Sequence, residues 1–314
     1  MGELSPVENY LEAIRFGSPD YVPRGNERIS KWVSLKGNSS HSTWTDSWGV
    51  GWVMEMPDTA PFPLSVPIKY IRRIDEYALP DPDRLFDGIN GQLPGIRAAK
   101  GEGLLIRCGL GYLLYERVWS LLGMEGFLSA LALEPELTSE LLHRIAVYNR
   151  RVFANMLEIG VDCIGFSEDL GTQRALMFSP ESFRRYFLPE YEHMFQDALT
   201  EGTIIDFHSC GCVDAVAPML ASIGVTILNP VQARANDIAG IKRATYGRMA
   251  LCGAVDSHLI LTGTVEEIYE ETRRILGIMM PGGGYVCAPD QGFPEYRPEC
   301  VEAVYRAAAD YGRY

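Results

Sequence analysis

The chain is short of basic residues and has no long hydrophobic run, and each shortage excludes a class of protein. No window approaches the ~20 apolar residues that a helix needs to cross a bilayer, so we expect no membrane span. Only 28 lysines and arginines stand against 41 acidic residues, which gives a net charge of −13, and the basic residues are scattered. This distribution argues against nucleic acid as a partner.

The sequence also lacks a secretion signal and an even set of cysteines. Its first residues have neither the basic nor the apolar region of a signal peptide. The seven cysteines are an odd number, which is typical of free thiols in a reducing compartment. We therefore expect a cytoplasmic protein. The sequence leaves open whether this protein forms a homodimer.

What is present is an alternation of short apolar runs and amphipathic helices. With 314 residues, of which 47% are hydrophobic, the chain is long enough for one barrel domain spanning 1–314. Thr264 to Glu267 is a capping box that predicts the start of a helix. Six runs are typical of buried strands: Leu104–Arg107, Asp162–Phe166, Thr203–Phe207, Thr226–Leu228, Met249–Cys252 and Tyr285–Ala288.

This alternation predicts a parallel sheet with helical crossovers. If the N-terminal third supplies two further strands, the fold is an α/β (β/α)8 TIM barrel, and the alternative is an open doubly wound sheet. Residues 17–66 are rich in Gly, Pro, Ser and Trp, and we expect them to form loops over one mouth of the barrel.

Polar residues gather where the predicted strands end. In a barrel these carboxyl ends carry the active site. Glu168, Asp169 and Asp256 are the candidate catalytic carboxylates, and Asn229 and Gln232 are candidate substrate-binding residues. The other polar residues at strand ends are His208, Cys210, His258, Cys287 and Asp290.

The segment Asp206-Phe-His-Ser-Cys-Gly-Cys212 is the most specific of these. It places the imidazole of His208 and the thiol of Cys210 in one loop, and these are ligands that zinc prefers. The alternative on this spacing alone is a turn with a buried cysteine beside a hydrogen-bonded histidine.

Five segments in order resemble the uroporphyrinogen decarboxylase superfamily, and specifically its branch of cobalamin-dependent methyltransferases. They are Ser-Glu-Asp-Leu-Gly-Thr-Gln (167–173), Ser-Pro-Glu-Ser-Phe (179–183), His-Ser-Cys-Gly (208–211), Gly-Ala-Val-Asp (253–256) and Gly-Gly-Gly-Tyr (282–285). The resemblance covers about residues 40–312 and implies a (β/α)8 barrel. The segment 22–29 lacks the Arg-Gln-Ala-Gly-Arg signature of the true decarboxylases.

The resemblance implies a zinc site. His208 and Cys210 match the ligands of the methyltransferase branch directly, and Cys287 on the last strand is the best match for the third. The chain departs from the thiol-methylating relatives because Gln291 stands near the position of their later cysteine. Glu168 is a candidate additional ligand or acid, and the alternative is a surface carboxylate at a strand end.

The resemblance also implies a partner. Such enzymes exchange a methyl group between a small methylated substrate, or a thiol or folate acceptor, and a corrinoid (cobalamin) carried on a separate small protein, with zinc as the Lewis acid. No corrinoid-carrying domain is evident in the chain, so a corrinoid protein is expected.

Aromatic and methionine side chains of the N-terminal loops suit a flat apolar substrate such as a methoxylated ring. Trp48 is the substrate-binding candidate among Trp44, Trp48, Trp52, Met54 and Met56, and the alternative is that these residues only pack the lid. Two other functions stay open: a metal-free decarboxylase, and a non-catalytic corrinoid- or metal-binding subunit.

Overall fold

The computed structural model describes residues 3–35, 42–54 and 61–314, and its centre is a parallel sheet of seven strands in these ranges. The strands of this sheet pair in the order β1-β5-β6-β7-β8-β9-β10. Their bounds are β1 Ser30–Val33, β5 Leu105–Leu110, β6 Cys163–Ser167, β7 Ile204–His208, β8 Ile227–Val231, β9 Ala250–Val255 and β10 Tyr285–Pro289.

The sheet closes on itself. The segment before β1 pairs with β10, since Cys287 N donates to Pro23 O at 2.8 Å and Gly25 N donates to Cys287 O at 2.9 Å. The order of the strands in the sheet follows their order in the sequence. A doubly wound sheet would instead reverse its strand order at one point. The predicted barrel class is therefore confirmed, and β5 to β10 are the six predicted strands. Of the two further strands expected from the N-terminal third, the described residues supply β1 and a single parallel bridge between Arg24 and Cys287.

Helices cover the outside of the sheet. Their bounds are α1 Pro6–Ile14, α2 Leu93–Gly101, α3 Tyr115–Leu122, α4 Met124–Leu133, α5 Pro135–Glu158, α6 Pro180–Ser182, α7 Leu188–Thr200, α8 Ala217–Ser222, α9 Ile238–Thr245, α10 Ser257–Thr262, α11 Val265–Met279 and α12 Pro298–Tyr311. The predicted capping box is present at α11, where the Thr264 side chain accepts from Glu267 N. None of the described helices is both long and apolar enough to cross a membrane.

One end of the barrel is filled with apolar side chains and blocked by α1. An inner layer is formed by Cys163, Ile204, Ile227, Ala250 and Val286, against which Tyr10 and Ile14 of α1 pack. Because side chains alternate along a strand, the next inward positions lie two residues further on, toward the carboxyl ends. Among the described residues, the barrel interior therefore opens at its carboxyl mouth.

The N-terminal segment covers that mouth with a small antiparallel sheet as well as loops. Its strands are β2 Thr43–Thr45, β3 Gly51–Val53 and β4 Phe62–Ser65, in the order β2-β3-β4. The expectation of loops alone thus missed a three-stranded element, and Met56 lies outside the described residues.

The partly buried carboxylate of Asp46 organises this N-terminal lid. Asp46 Oδ1 accepts from Trp48 N and Val50 N, each at 2.9 Å, while its Oδ2 accepts from Trp52 Nε1 at 2.9 Å and from Arg117 at 3.0 Å. Arg117 also stacks over the Trp48 ring, 4.7 Å from its centroid. Charge-assisted hydrogen bonds of this kind are about twice as strong as neutral ones, so the lid is tied firmly to the barrel through α3.

Candidate metal site and active-site cavity

Asp169, His208 and Cys210 form a cluster of metal-ligating side chains at the barrel mouth. One ligand atom from each lies within 4.8 Å of the other two. His208 Nε2 is 3.5 Å from Cys210 Sγ and 3.7 Å from Asp169 Oδ1. The structure thus brings together two residues predicted as metal ligands and one predicted as a catalytic carboxylate.

The strand register explains this convergence. Ser167, the last residue of β6, pairs with His208, the last residue of β7, so the residues after both strands emerge side by side. Cys210 N donates to Asp169 Oδ1 at 2.8 Å and thereby joins the two loops. Gly211 has a φ of +85°, and a Cβ there would lie 2.2 Å from Gly171 O, so this turn requires glycine.

Two glutamines hold the Cys210 loop from the other side. Gln291 Nε2 donates to Cys210 Sγ at 3.2 Å, from the loop after β10. Gln232 Oε1 accepts from Gly211 N at 2.8 Å, so this predicted substrate-binding residue supports the loop. Burial, followed by the nearby Asp169 carboxylate, raises the pKa of the Cys210 thiol to about 12, and the Gln291 hydrogen bond acts in the opposite direction.

The structure does not bring Cys287 to this cluster. Val286 belongs to the inner layer of the barrel, and successive side chains of a strand point to opposite faces, so Cys287 points outward. It is fully buried, and the outer face of β10 is covered by α12. The strand alternation thus separates Cys287 from the cluster that the resemblance led us to expect it in, and Gln291 lies beside the Cys210 thiol instead.

Glu168 is neither on the surface nor in the cluster. It is fully buried, and its Oε1 accepts from Tyr115 N and the Tyr191 hydroxyl, each at 2.9 Å, and from Leu114 N. Its Oε2 accepts from Glu116 N at 2.9 Å, so the carboxylate caps the first turn of α3. Burial and the Glu116 charge raise the pKa of Glu168 to about 8, whereas the hydrogen bonds to its carboxylate lower it.

Asp256 is also engaged away from the cluster. Its Oδ1 accepts from His258 N at 2.9 Å at the start of α10, and its Oδ2 pairs with Arg234 Nε at 2.8 Å. Its predicted catalytic role therefore has no support from this geometry.

A cavity of about 1160 Å³ lies between the lid and the barrel mouth. His208 and Asn229 line its floor, while the predicted substrate residue Trp48 lies in its wall. The aromatic side chains that line it are Trp32, Trp44, Trp48, Trp52, Tyr112, Tyr148 and Phe166. The cluster thus faces, through His208, a space large enough for an aromatic molecule.

Sequence reasoning missed Arg107, Asp206 and Glu116. Arg107 and Asp206 form an ion pair inside the barrel and line the cavity floor. Glu116 is buried and accepts from Ser167 Oγ at 2.7 Å, and burial raises its pKa to about 7. Arg107 and Asp206 could have been found from the sequence, because each is a charged residue inside a predicted apolar strand. Glu116 could not, because nothing in the sequence links α3 to the barrel mouth.

The fold and the placement of the cluster put the chain among the parallel barrels whose sites lie at the carboxyl ends of their strands. Residues 118–311 match the family model described as uroporphyrinogen decarboxylase (URO-D). Since this match covers well over half of the chain, the chain belongs to the uroporphyrinogen decarboxylase family, as the resemblance predicted.

One solved structure shares the fold over nearly its whole length. A methyltransferase from Methanosarcina mazei aligns with a TM-score of 0.73 over 98% of this chain and 99% of that chain, at 19% identity. A B12-independent methionine synthase from Shewanella sp. W3-18-1 aligns with a TM-score of 0.49 over 69% of this chain and 64% of that chain, at 13% identity. No protein of curated function matches the chain.

Proposed function

We propose that this chain is a zinc-dependent methyltransferase that passes the methyl group of a methoxylated aromatic to a corrinoid protein. The observation that carries the proposal is the cluster of Asp169, His208 and Cys210, which adjoins the aromatic cavity through His208. The full-length likeness to a methyltransferase from Methanosarcina mazei supports the same class of reaction.

The three side chains fit zinc. Tetrahedral zinc with typical bond lengths places its nitrogen and sulfur ligand atoms about 3.6 Å apart. His208 Nε2 and Cys210 Sγ are 3.5 Å apart, and Asp169 Oδ1 lies 3.7 Å from the same nitrogen. Three protein ligands leave the fourth position open, as in catalytic rather than structural zinc sites. We therefore assign the third ligand position to Asp169 in place of Cys287.

The ligand set favours an oxygen substrate over a thiol. Replacing a second thiolate with the Asp169 carboxylate makes the set harder, and hard ligands accompany oxygen chemistry. When bound, zinc supplies a Lewis acid that polarises the oxygen of a methyl ether. The corrinoid on the partner protein supplies the methyl acceptor.

The chain's own residues bind and orient the substrate. Trp48 and Trp52 line the cavity, and Asp46 accepts from the Trp48 backbone N–H and from the Trp52 indole N–H. With the other aromatic side chains of the lining they give an aromatic substrate an apolar wall to pack against. His208 and Asn229 lie at the floor, where the methyl ether oxygen would approach the metal. A substrate bound between the lid and the cavity floor would displace water from this space, which strengthens the electrostatic interactions in it.

The test combines metal analysis with methyl transfer. Protein purified without chelator or affinity metal should contain about one zinc per chain by plasma mass spectrometry, and Cys210→Ala should contain none. Cys287→Ser is the matched thiol control, and it should retain zinc. With a reduced corrinoid protein, methoxylated aromatics should produce the absorbance change of methyl-cobalt, and the chelated enzyme should not. A folded wild type without zinc would refute the proposal.

The family match favours one second function, a decarboxylase acting on a carboxylated substrate. Decarboxylation that survives complete zinc removal, together with no methyl transfer, would support this alternative. Zinc binding without methyl transfer to any corrinoid protein would instead indicate a non-catalytic metal-binding subunit.

A further inference from the structure

A chain of polar side chains crosses the barrel floor and ends on His208. Arg107 of β5 forms an ion pair with Asp206 of β7. Asp206 Oδ1 accepts a hydrogen bond from the Asn229 Nδ2 amide on β8, and Asn229 Oδ1 lies 3.2 Å from His208 Nδ1. All four residues line the cavity, immediately above the apolar inner layer.

The donor or acceptor role of each side chain in this series determines the role of the next side chain. A carboxylate paired with arginine only accepts hydrogen bonds, so Asp206 requires the amide nitrogen of Asn229 on its side. The amide oxygen of Asn229 then faces His208 and only accepts, so His208 Nδ1 must carry a proton. In a neutral imidazole this leaves Nε2 with a free lone pair, and Nε2 is the atom that faces Cys210 and Asp169.

Packing alone does not account for this chain. A buried ion pair stabilises a fold no better than well-packed apolar residues of similar volume. The layer directly below is apolar at the equivalent positions, such as Ile204 and Ile227. The Asp206 side chain is only 5% exposed, so its desolvation needs a compensating role.

We propose that Arg107, Asp206 and Asn229 are positioning residues that hold His208 as the Nδ1–H tautomer, with Nε2 ready to bind the metal. This proposal rests on the proposed zinc site, and it reassigns Asn229 from substrate binding to the support of a ligand. Hydrogen-bond partners of metal-bound histidines commonly change metal affinity 10- to 100-fold when they are removed.

The first test uses the metal-free protein. Histidine side-chain ¹H–¹⁵N spectra, at a pH where the ring is neutral, should show His208 as the Nδ1–H tautomer, assigned by comparison with His208→Ala. Asn229→Leu removes the acceptor and should shift the ring toward the Nε2–H tautomer. An unchanged tautomer in folded Asn229→Leu would overturn the proposal.

The second test measures zinc affinity by competition with a chromogenic chelator. Asn229→Leu should weaken zinc binding about 10- to 100-fold. Ser167→Ala is the matched control, because Ser167 lines the same cavity but donates to Glu116, and its zinc affinity should match that of the wild type. Equal affinity in wild type and folded Asn229→Leu would refute the positioning role.

The two tests separate this proposal from the proposed function. If the wild type binds no zinc but Asn229→Leu shows the expected change of tautomer, the proposed zinc-dependent function is refuted and the positioning role of Asn229 is supported. If the wild type binds zinc but the His208 tautomer does not depend on Asn229, the positioning role of Arg107, Asp206 and Asn229 is refuted and the zinc site still stands.

Discussion

Glu168 and Asp169 are neighbours in the sequence and carry the same functional group, yet the structure gives them opposite surroundings. Glu168 is fully buried and its carboxylate is used up by hydrogen bonds at the first turn of α3. The Asp169 side chain is 44% exposed and faces His208 across the barrel mouth. The Glu168 carboxylate stabilises the start of α3, and the Asp169 carboxylate is placed where it can bind a metal ion.

The difference shows how a strand end divides its residues between structure and chemistry. Successive residues leaving β6 point to opposite sides, so one meets the helical layer and the next meets the mouth. Burial makes a carboxylate costly unless donors surround it, and the α3 amides supply those donors. A buried, hydrogen-bonded group is therefore expected to control stability, and a half-exposed one to control binding.

The largest effect is expected from removing a zinc ligand. His208→Ala and Cys210→Ala should each abolish zinc retention, because two remaining ligands do not hold zinc. The barrel should stay folded, since both side chains lie at the mouth rather than in the core. Metal analysis and circular dichroism on the same samples check both statements. Full metal content in either variant would disprove the site.

Isosteric amides at the two neighbouring carboxylates sharpen the comparison directly. Glu168→Gln should lower the free energy of unfolding by about 2–3 kcal/mol, because its amide group opposes the Glu116 N–H. Asp169→Asn keeps the acceptor for Cys210 N and should change stability by less than about 0.5 kcal/mol.

Zinc affinity should show the reverse order. Asp169→Asn should bind zinc at least about 10-fold more weakly, because a neutral amide replaces an anionic ligand. Folded Glu168→Gln should bind it as the wild type does. Denaturant unfolding and chelator competition provide the measurements, and equal zinc affinity in the two variants would contradict the division of roles.

The pH dependence of stability should show a third carboxylate that is buried without being a ligand. Burial raises the pKa of Glu116 from 4.5 to about 7, so the folded state holds this proton more tightly than the unfolded state. The contribution of Glu116 to stability is then largest at low pH and falls as the pH rises from about 4.5 to 7.

Glu116→Gln removes this dependence. Relative to the wild type, the variant should gain up to about 3 kcal/mol of stability between pH 4.5 and pH 7.5. Unfolding by denaturant at several pH values measures the difference. A constant difference across this range would mean that Glu116 titrates normally.

The smallest effect is expected where the chain departs from its relatives. Gln291 already donates to the Cys210 thiol, so Gln291→Cys would place a second thiolate near the cluster. Zinc should bind a few-fold more tightly, and methyl transfer from an ether should slow, because a softer ligand set makes zinc a weaker Lewis acid. Gln291→Ala is the control for loss of the hydrogen bond alone, and it should not tighten zinc binding.

Much of the fold was predictable because periodicity is local. The six predicted strands are β5 to β10, and the capping box at Thr264 begins α11 as expected. The small lid sheet was missed because β2, β3 and β4 are three or four residues long and lack a clear alternation. Strands this short are stabilised by their neighbours rather than by their own sequence.

By itself the sequence determined that polar residues end the strands and that His208 and Cys210 share one loop. These features follow from chain connectivity and from spacing, both of which the sequence contains. Tertiary structure alone decided that Cys287 faces outward, that Glu168 caps a distant helix and that Asp169 joins His208. Each of these placements depends on which residues of a strand point inward, and a shift of one residue turns a side chain to the opposite face of the sheet.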